Sequence, residues 1–166
     1  MEHEKVIVFS QLDEDILQRL QAQYEVVMIN PKQGDVNEQI RGQVKNADAM
    51  IGAGRLLNQS NLAPAEQLKI ISSVSVGYDN YDLAFLNQKK IWLSNTPHVL
   101  TETTADLAFT LLMSAARKVP DLDQWTKQGQ WKRTASEAQF GQDIFGKTLG
   151  IIGLGHIGAA VARRGF

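Results

Sequence analysis

Hydrophobic residues in the first hundred positions fall into short apolar runs separated by segments of helical period. The runs are Lys5 to Ser10, Tyr24 to Ile29, Ala49 to Gly52, Leu68 to Val74 and Ile91 to Ser94. Each is a short apolar run and a candidate strand. Between them Ile16, Leu20 and Tyr24 step by four, as do Val36, Ile40 and Val44, which predicts amphipathic helices. Asn61 to Gln67 and Asp82 to Lys89 are shorter helical segments. Alternating strands and helices predict a parallel sheet with helices on both faces, because each right-handed crossover returns the chain to the same edge. Ligands of such sheets bind beyond the carboxyl ends of the strands. Those ends carry Ser10-Gln11, Gly52-Ala53-Gly54-Arg55 and Ser75-Val76-Gly77-Tyr78, loops of small residues whose N–H groups can approach an anion.

The texture changes after Thr96-Pro97. Asn95-Thr96-Pro97-His98 is a breaker cluster and a plausible hinge between two domains. Beyond it Thr103 and Asp106 are spaced as a capping box, and an apolar face from Leu107 to Ala115 predicts the longest helix, Glu102 to Lys118, closed by Pro120. From Pro120 to Gly146 the chain is polar with Trp125, Trp131 and Phe140 spaced along it, which fits a packed arm or a subunit contact. Thr148 to Ile152 then reads as a short buried strand.

Composition excludes several classes. With 43% hydrophobic and 21% charged residues, the chain is expected to fold rather than remain disordered. Seventeen basic against 18 acidic side chains give a net charge of -1, and no basic cluster exceeds a pair, so nucleic acid is not an expected partner. There is no Cys, which excludes disulfides, thiolate nucleophiles and cysteine metal sites. The acidic start, Met1 to Lys5, does not read as a signal peptide, and the longest apolar stretch, Leu107 to Ala116, is too short for a bilayer span. A cytoplasmic protein without a membrane partner is expected.

The chemistry is carried by Gly153-Leu154-Gly155-His156-Ile157-Gly158, which follows the apolar run and opens a helical segment through Arg164. Strand, G-x-G-x-x-G and helix is the dinucleotide fingerprint. Gly153 permits the tight turn, Gly155 lets backbone reach a pyrophosphate, and Gly158 lets helix and strand pack closely. The phosphates would meet the free N–H groups and positive dipole of the helix start. The alternative is a glycine-rich turn used only for packing. The residue that distinguishes NAD from NADP should lie about 20 positions on, past Phe166. A βα unit also needs a second parallel strand, so a truncated chain is expected, with Leu149 to Ile152 seeking a partner strand.

Taken together, Ser75-Val76-Gly77-Tyr78-Asp79-Asn80, Asn95-Thr96-Pro97 with Val99 to Asp106, Gly129-Gln130-Trp131, and Gly146 to Gly155 occur in the order and spacing of a known family. The chain resembles the D-isomer-specific 2-hydroxyacid dehydrogenases, and within them the glyoxylate/hydroxypyruvate and 2-ketogluconate reductases. The resemblance spans the sequence but only about the first half of a family member. It implies a flavodoxin-like, doubly wound parallel-sheet substrate domain over 1–98, followed by the beginning of a Rossmann dinucleotide-binding domain over 99–166. It also implies an NAD(P)-dependent oxidoreductase acting on a small 2-keto acid, with the subfamily favouring NADP(H), and a homodimer in the full-length protein. Residue by residue, Val76 and Gly77 would hold the substrate carboxylate, Thr104 would lie near the nicotinamide end, and Gly155, His156 and Ile157 would contact the pyrophosphate. The family's Arg, His and Glu trio belongs to segments beyond Phe166, so no catalytic residue is assigned and the chain alone is expected not to turn over. The same scaffold also serves corepressors that sense dinucleotides without catalysis, and a free-standing flavodoxin-like module is a further alternative.

Other residues have simpler readings. Arg55 is a substrate contact or a surface ion-pair residue. His98 is a polar hinge residue, and His156 stands where the resemblance implies Arg, making a phosphate contact pH-dependent. Asp79, Asp82 and Asp106 read as helix caps, Lys89-Lys90 and Arg163-Arg164 as charges at helix C-termini, and His3 as a solvated terminus. No combination suggests a metal.

Overall fold

The computed structural model describes residues 4–166; the residues of the signal-peptide and His3 readings before Glu4 lie outside it. The chain divides into two compact units, one ending at Pro97 and one beginning at His98.

All five apolar runs of the first unit form strands: β1 (Lys5–Val8), β2 (Glu25–Met28), β3 (Ala49–Gly52), β4 (Ile70–Ser73) and β5 (Trp92–Ser94). They make one parallel sheet in the order β2-β1-β3-β4-β5, the flavodoxin-like doubly wound order. Helices α1 (Glu14–Gln21), α2 (Val36–Gln43), α3 (Gln59–Leu62) and α4 (Leu83–Lys89) connect them. The sheet grows one way from β1 to β2 and the other way afterwards, so right-handed crossovers put α1 on one face and α2, α3 and α4 on the other.

The register places Ile7, Met50, Ile71 and Leu93 in a row across one face. Against that row pack Ile40 and Val44, Leu62, and Phe85 and Leu86, forming the core. Helix starts are fixed locally. Asp35 and Asp82 accept from the N–H groups of Glu38 (2.9 Å) and Phe85 (3.0 Å), satisfying donors that have no partner within the helix.

The helical segment expected at Asn61 to Gln67 lies earlier, at Gln59–Leu62. Asn58 starts it by accepting from Ser60 N–H (2.9 Å), while Asn61 Oδ1 accepts from Asn58 N–H (3.0 Å). Ala63 still has helical backbone, but Pro64 has no N–H to donate back to Ser60 and ends the helix there. Asn61, 3% exposed, is satisfied further by donating to the Leu56 carbonyl (2.8 Å) and to Asn37 (3.2 Å).

The second unit contains α5 (Thr101–Ala116), α6 (Val119–Lys127) and α7 (His156–Arg164). Buried Ala105 and Ala160 lie on α5 and α7, which pack together. The capping box expected from Thr103 and Asp106 is absent. The helix already begins at Thr101 after Leu100, and Asp106 accepts from Arg164 Nε at 2.7 Å. Of the three Asp residues expected as caps, only Asp82 caps a helix. The segment after Pro120 begins within α6, and of its spaced aromatics Trp131 and Phe140 remain more than half exposed. Trp125 and Trp131 stack with centroids 6.2 Å apart, and Gln142 N–H donates to the Ala116 carbonyl (2.7 Å). The strand expected at Thr148 to Ile152 does not form. A strand is completed by neighbouring hydrogen bonds; among the described residues no segment pairs with this one, and Ile152 is fully exposed.

Candidate functional site

In the first unit the loop after β4 is shaped by a chain of hydroxyl and amide hydrogen bonds. Ser75 Oγ donates to the Gly77 carbonyl (2.8 Å) and lies 2.7 Å from Ser73 Oγ. Since Ser75 has committed its proton, Ser73 donates to it. Asn95 Nδ2 donates to the Val76 carbonyl (2.8 Å), and Thr96 N–H donates to the Ser75 carbonyl (3.0 Å). Three successive carbonyls are thus engaged, while among the described residues nothing accepts from the N–H groups of Val76 and Gly77. Both residues are exposed. Fixed backbone donors with their carbonyls tied elsewhere make an anion-accepting loop.

Arg55 follows β3 beside this loop. Its carbonyl accepts a very short hydrogen bond from Asn80 Nδ2, Leu57 N–H donates to the Asn80 carbonyl (2.9 Å), and Leu57 and Tyr81 form a parallel bridge. The segment carrying Arg55 is therefore tied to the one carrying Gly77. Half-buried Arg55 also lines a cleft of about 670 Å³ with Ser10, Gln11, Asn30 and Ala53 at the carboxyl ends of β1, β2 and β3. Ser10 Oγ joins two of these loops by accepting from Ala53 N–H (3.0 Å).

In the second unit the glycine turn has the geometry its sequence demands. Gly153 has φ +88°, in the region that favours glycine. A Cβ on Gly158 would lie 2.1 Å from the Gly153 carbonyl oxygen, whereas one on Gly155 would meet nothing within 4 Å. Gly155 precedes α7 without a side-chain cap, and among the described residues nothing accepts from the N–H groups of His156, Ile157 and Gly158. The turn is therefore closed by backbone contact at Gly158 and open toward solvent at Gly155, with three donors at the positive end of α7. Such a cradle fits a diphosphate.

Arg163 and Arg164, expected only as C-terminal charges, bind α5. Arg163 reaches Glu102 at 2.7 Å, and Arg164 reaches Glu102 at 3.0 Å and Asp106 at 2.5 Å. Those hydrogen bonds, Asp106 first, hold the Arg164 guanidinium above its ordinary value. Thr104 is exposed on α5, its N–H donating to the Leu100 carbonyl (2.9 Å). His98, read as a hinge residue, has φ +68° and lies edge-to-face on His156, with ring centroids 4.4 Å apart.

The structure thus places Val76 and Gly77 together in one loop of the first unit, with Arg55 tied by its backbone to Asn80 but lining the separate cleft with Ser10 and Asn30, and groups Gly153, Gly155, His156, Ile157 and Gly158 in the second. Sequence reasoning missed Ser73, Ser75, Asn80 and Asn95. A usable signal was the Ser two positions before Gly77, a spacing at which a side chain bonds backbone in a turn. Among the described residues no cluster of His, Asp or Glu could hold a metal, and no helix is long and apolar enough to cross a membrane.

A parallel 2-1-3-4-5 sheet, followed in sequence by a glycine-rich turn at a helix start, defines a doubly wound α/β class. Residues 6–158 match the model of the D-isomer specific 2-hydroxyacid dehydrogenase catalytic domain, and the chain belongs to that family. It is 37% identical over 159 residues to glyoxylate/hydroxypyruvate reductase B of Citrobacter koseri, covering 96% of this chain and 49% of that protein. Among solved structures it resembles the TT0316 protein of Thermus thermophilus (33% identity, TM-score 0.81, 97% of this chain and 52% of that one). It also resembles an NADPH-dependent glyoxylate/hydroxypyruvate reductase of Sinorhizobium meliloti, determined in complex with NADP and malonate (30% identity, TM-score 0.78, 98% and 50%). The chain spans about half the length of the curated relatives it matches.

Proposed function

We propose that this chain supplies the substrate-carboxylate loop and the diphosphate turn of an NAD(P)H-dependent reductase of small 2-keto acids, reversible as a 2-hydroxyacid dehydrogenase. The first unit, ending at Pro97, is the substrate domain, and the second, beginning at His98, is the start of the coenzyme domain, one residue earlier than the 98/99 boundary expected from the sequence. The observation that carries this reading is the Ser75–Val76–Gly77 loop. Its carbonyls are held by Ser75, Asn95 and Thr96, leaving the Val76 and Gly77 N–H groups for a carboxylate. Arg55 is suited to a second, charged contact with the acid. The class is glyoxylate, hydroxypyruvate or 2-ketogluconate, in keeping with the reductases it resembles, and NADP(H) is favoured by the NADPH-dependent relative.

When bound, the dihydronicotinamide supplies the hydride. The chain's own contribution is orientation. Val76 and Gly77 fix the carboxylate end of the acid, while His156, Ile157 and Gly158 fix the diphosphate through backbone donors, with Thr104 toward the nicotinamide end. Reduction also requires a proton donor at the carbonyl oxygen, a role the family resemblance gives to a His beyond Phe166. The 166-residue chain is therefore expected to bind without turnover, and the homodimer and cytoplasmic setting belong to the longer protein. The test is glyoxylate and hydroxypyruvate with NADPH, assayed on the chain and on a family-length protein carrying it. Turnover only by the latter supports the proposal; no turnover by the family-length protein with either acid or with 2-ketogluconate refutes it.

A further inference from the structure

We propose that His98 and His156 form a two-imidazole contact for the coenzyme diphosphate, so that binding takes up a proton near neutral pH. This rests on the reading of the glycine turn as the diphosphate site. His156 is the first residue of α7, and its N–H is one of the three free donors there. His98 lies far from it in sequence, yet its ring meets that of His156 edge-to-face, with centroids 4.4 Å apart at 81°. The left-handed backbone of His98 (φ +68°) and its carbonyl, which accepts from Thr101 N–H (3.3 Å), place this residue just before α5. The turn is thus bordered by two imidazoles, of which sequence reasoning had assigned only one to phosphate.

The surrounding charges leave that role to the imidazoles. On α5, the helix packed against α7, the charged groups are Glu102 and Asp106, and both are taken up by Arg163 and Arg164 in the last turn of α7. No other charged side chain lies on α7. Among the described residues neither imidazole has a hydrogen bond or ion pair. An imidazole near two phosphate charges gains most by being protonated, and each ring protonated beside the other costs less once an anion lies against both. An arginine at this place would carry its charge at every pH. The histidine pair instead makes coenzyme affinity a function of pH, stronger in acid.

NAD⁺ is the probe, because its diphosphate diester keeps its charge through neutral pH. Titrated calorimetrically into the 166-residue chain, its affinity should fall roughly tenfold from about pH 6 to about pH 8, the linkage of one proton whose midpoint moves by about one unit. Binding heats in two buffers of different ionisation enthalpy should show net proton uptake. His156→Asn should flatten the profile while keeping the weaker high-pH binding through the backbone donors. His98→Asn, which tolerates left-handed backbone, should reduce the slope. His156→Arg should bring affinity at high pH up to the low-pH level. Saturable binding with no pH dependence, or a slope unchanged in both Asn variants, overturns the inference while leaving the diphosphate reading in place. No saturable binding at any pH overturns both.

Discussion

Asp48 offers a direct measure of what holds the sheet together at its amino ends. One carboxylate oxygen accepts from Lys5 N–H (3.0 Å) and from Gln67 Nε2 (3.3 Å), while the other lies 3.1 Å from Lys69 Nζ. The backbone of the same residue donates to the Lys5 carbonyl (2.9 Å) and accepts from Lys69 N–H (2.8 Å), so Asp48 ties β1 to the segment entering β4. The Lys5 N–H bond is the main reason the carboxyl sits below its ordinary 3.8, with Lys69 contributing next among the lowering influences and desolvation opposing. The Asp48 side chain is only 15% exposed, whereas that of Lys69 is 62% exposed, so solvent screens the ion pair and the backbone bond dominates. Losing a hydrogen bond to a charged group in this setting costs about 1.5–3 kcal/mol. Asp48→Ala should therefore lower the urea midpoint of the 166-residue chain by that amount divided by its m-value. Asp48→Asn, which keeps an acceptor for Lys5 N–H, should cost about half as much.

The pH dependence follows from the direction of the shift. A carboxyl held below its unfolded value stabilises the fold fully above that value, and the contribution is lost as pH falls through the native one. The gap between the parent chain and Asp48→Ala should be constant from neutral pH down to about pH 5 and shrink below about pH 4. Urea titrations followed by circular dichroism at several pH values read this directly. A gap of equal size in acid and at neutral pH would show that the charge of Asp48 contributes nothing and that only its shape matters.

Three further outcomes are expected. Gly158→Ala puts a methyl where the Gly153 carbonyl oxygen would be 2.1 Å away; amide exchange in α7 should rise by at least tenfold, while Gly155→Ala, with nothing within 4 Å, should leave exchange unchanged, and equal effects would contradict the geometry. Ser75→Ala frees the Gly77 carbonyl to turn and should weaken glyoxylate binding by about fivefold to thirtyfold, equivalent to about 1–2 kcal/mol, as read from the shifts of the Val76 and Gly77 amide resonances; undiminished affinity would remove this hydroxyl from the site. Leu62→Ala, at a fully buried position in a one-turn helix, should destabilise the first unit by about 2–4 kcal/mol in chemical denaturation, and a loss under 1 kcal/mol, roughly that of a single methylene, would mean the core closes around the gap.

The five strands were legible because each carries a short apolar run, although only β1 is buried along most of its length and the edge strands β2 and β5 stay partly exposed; the glycine turn was legible because its backbone geometry excludes other residues at Gly153 and Gly158. What escaped depended on partners distant in the chain. Asp106 has the spacing of a cap to Thr103, but Arg164 competes for it with a charged, multiply bonded fork. The run from Thr148 to Ile152 has strand composition, yet a strand is a relation between two segments, and no described strand pairs with it although α7 packs nearby. The loop after β4 depends on Asn95 reaching back to Val76, and the imidazole pair on residues 98 and 156 meeting; neither spacing is periodic. The short helix at Gln59 was obscured for a different reason: polar caps, not apolar period, decide where one turn begins.

The Asp48 clamp and the Ser75 loop sit at opposite ends of the same parallel strands, one before they begin and one after they finish. Robustness and recognition are therefore written in separate neighbourhoods of a small domain. An engineer seeking a hardier protein can rework the lower rim around Lys5, Asp48 and Lys69 without touching the upper one, and changes in the proposed substrate loop at Ser75 leave those foundations as they are.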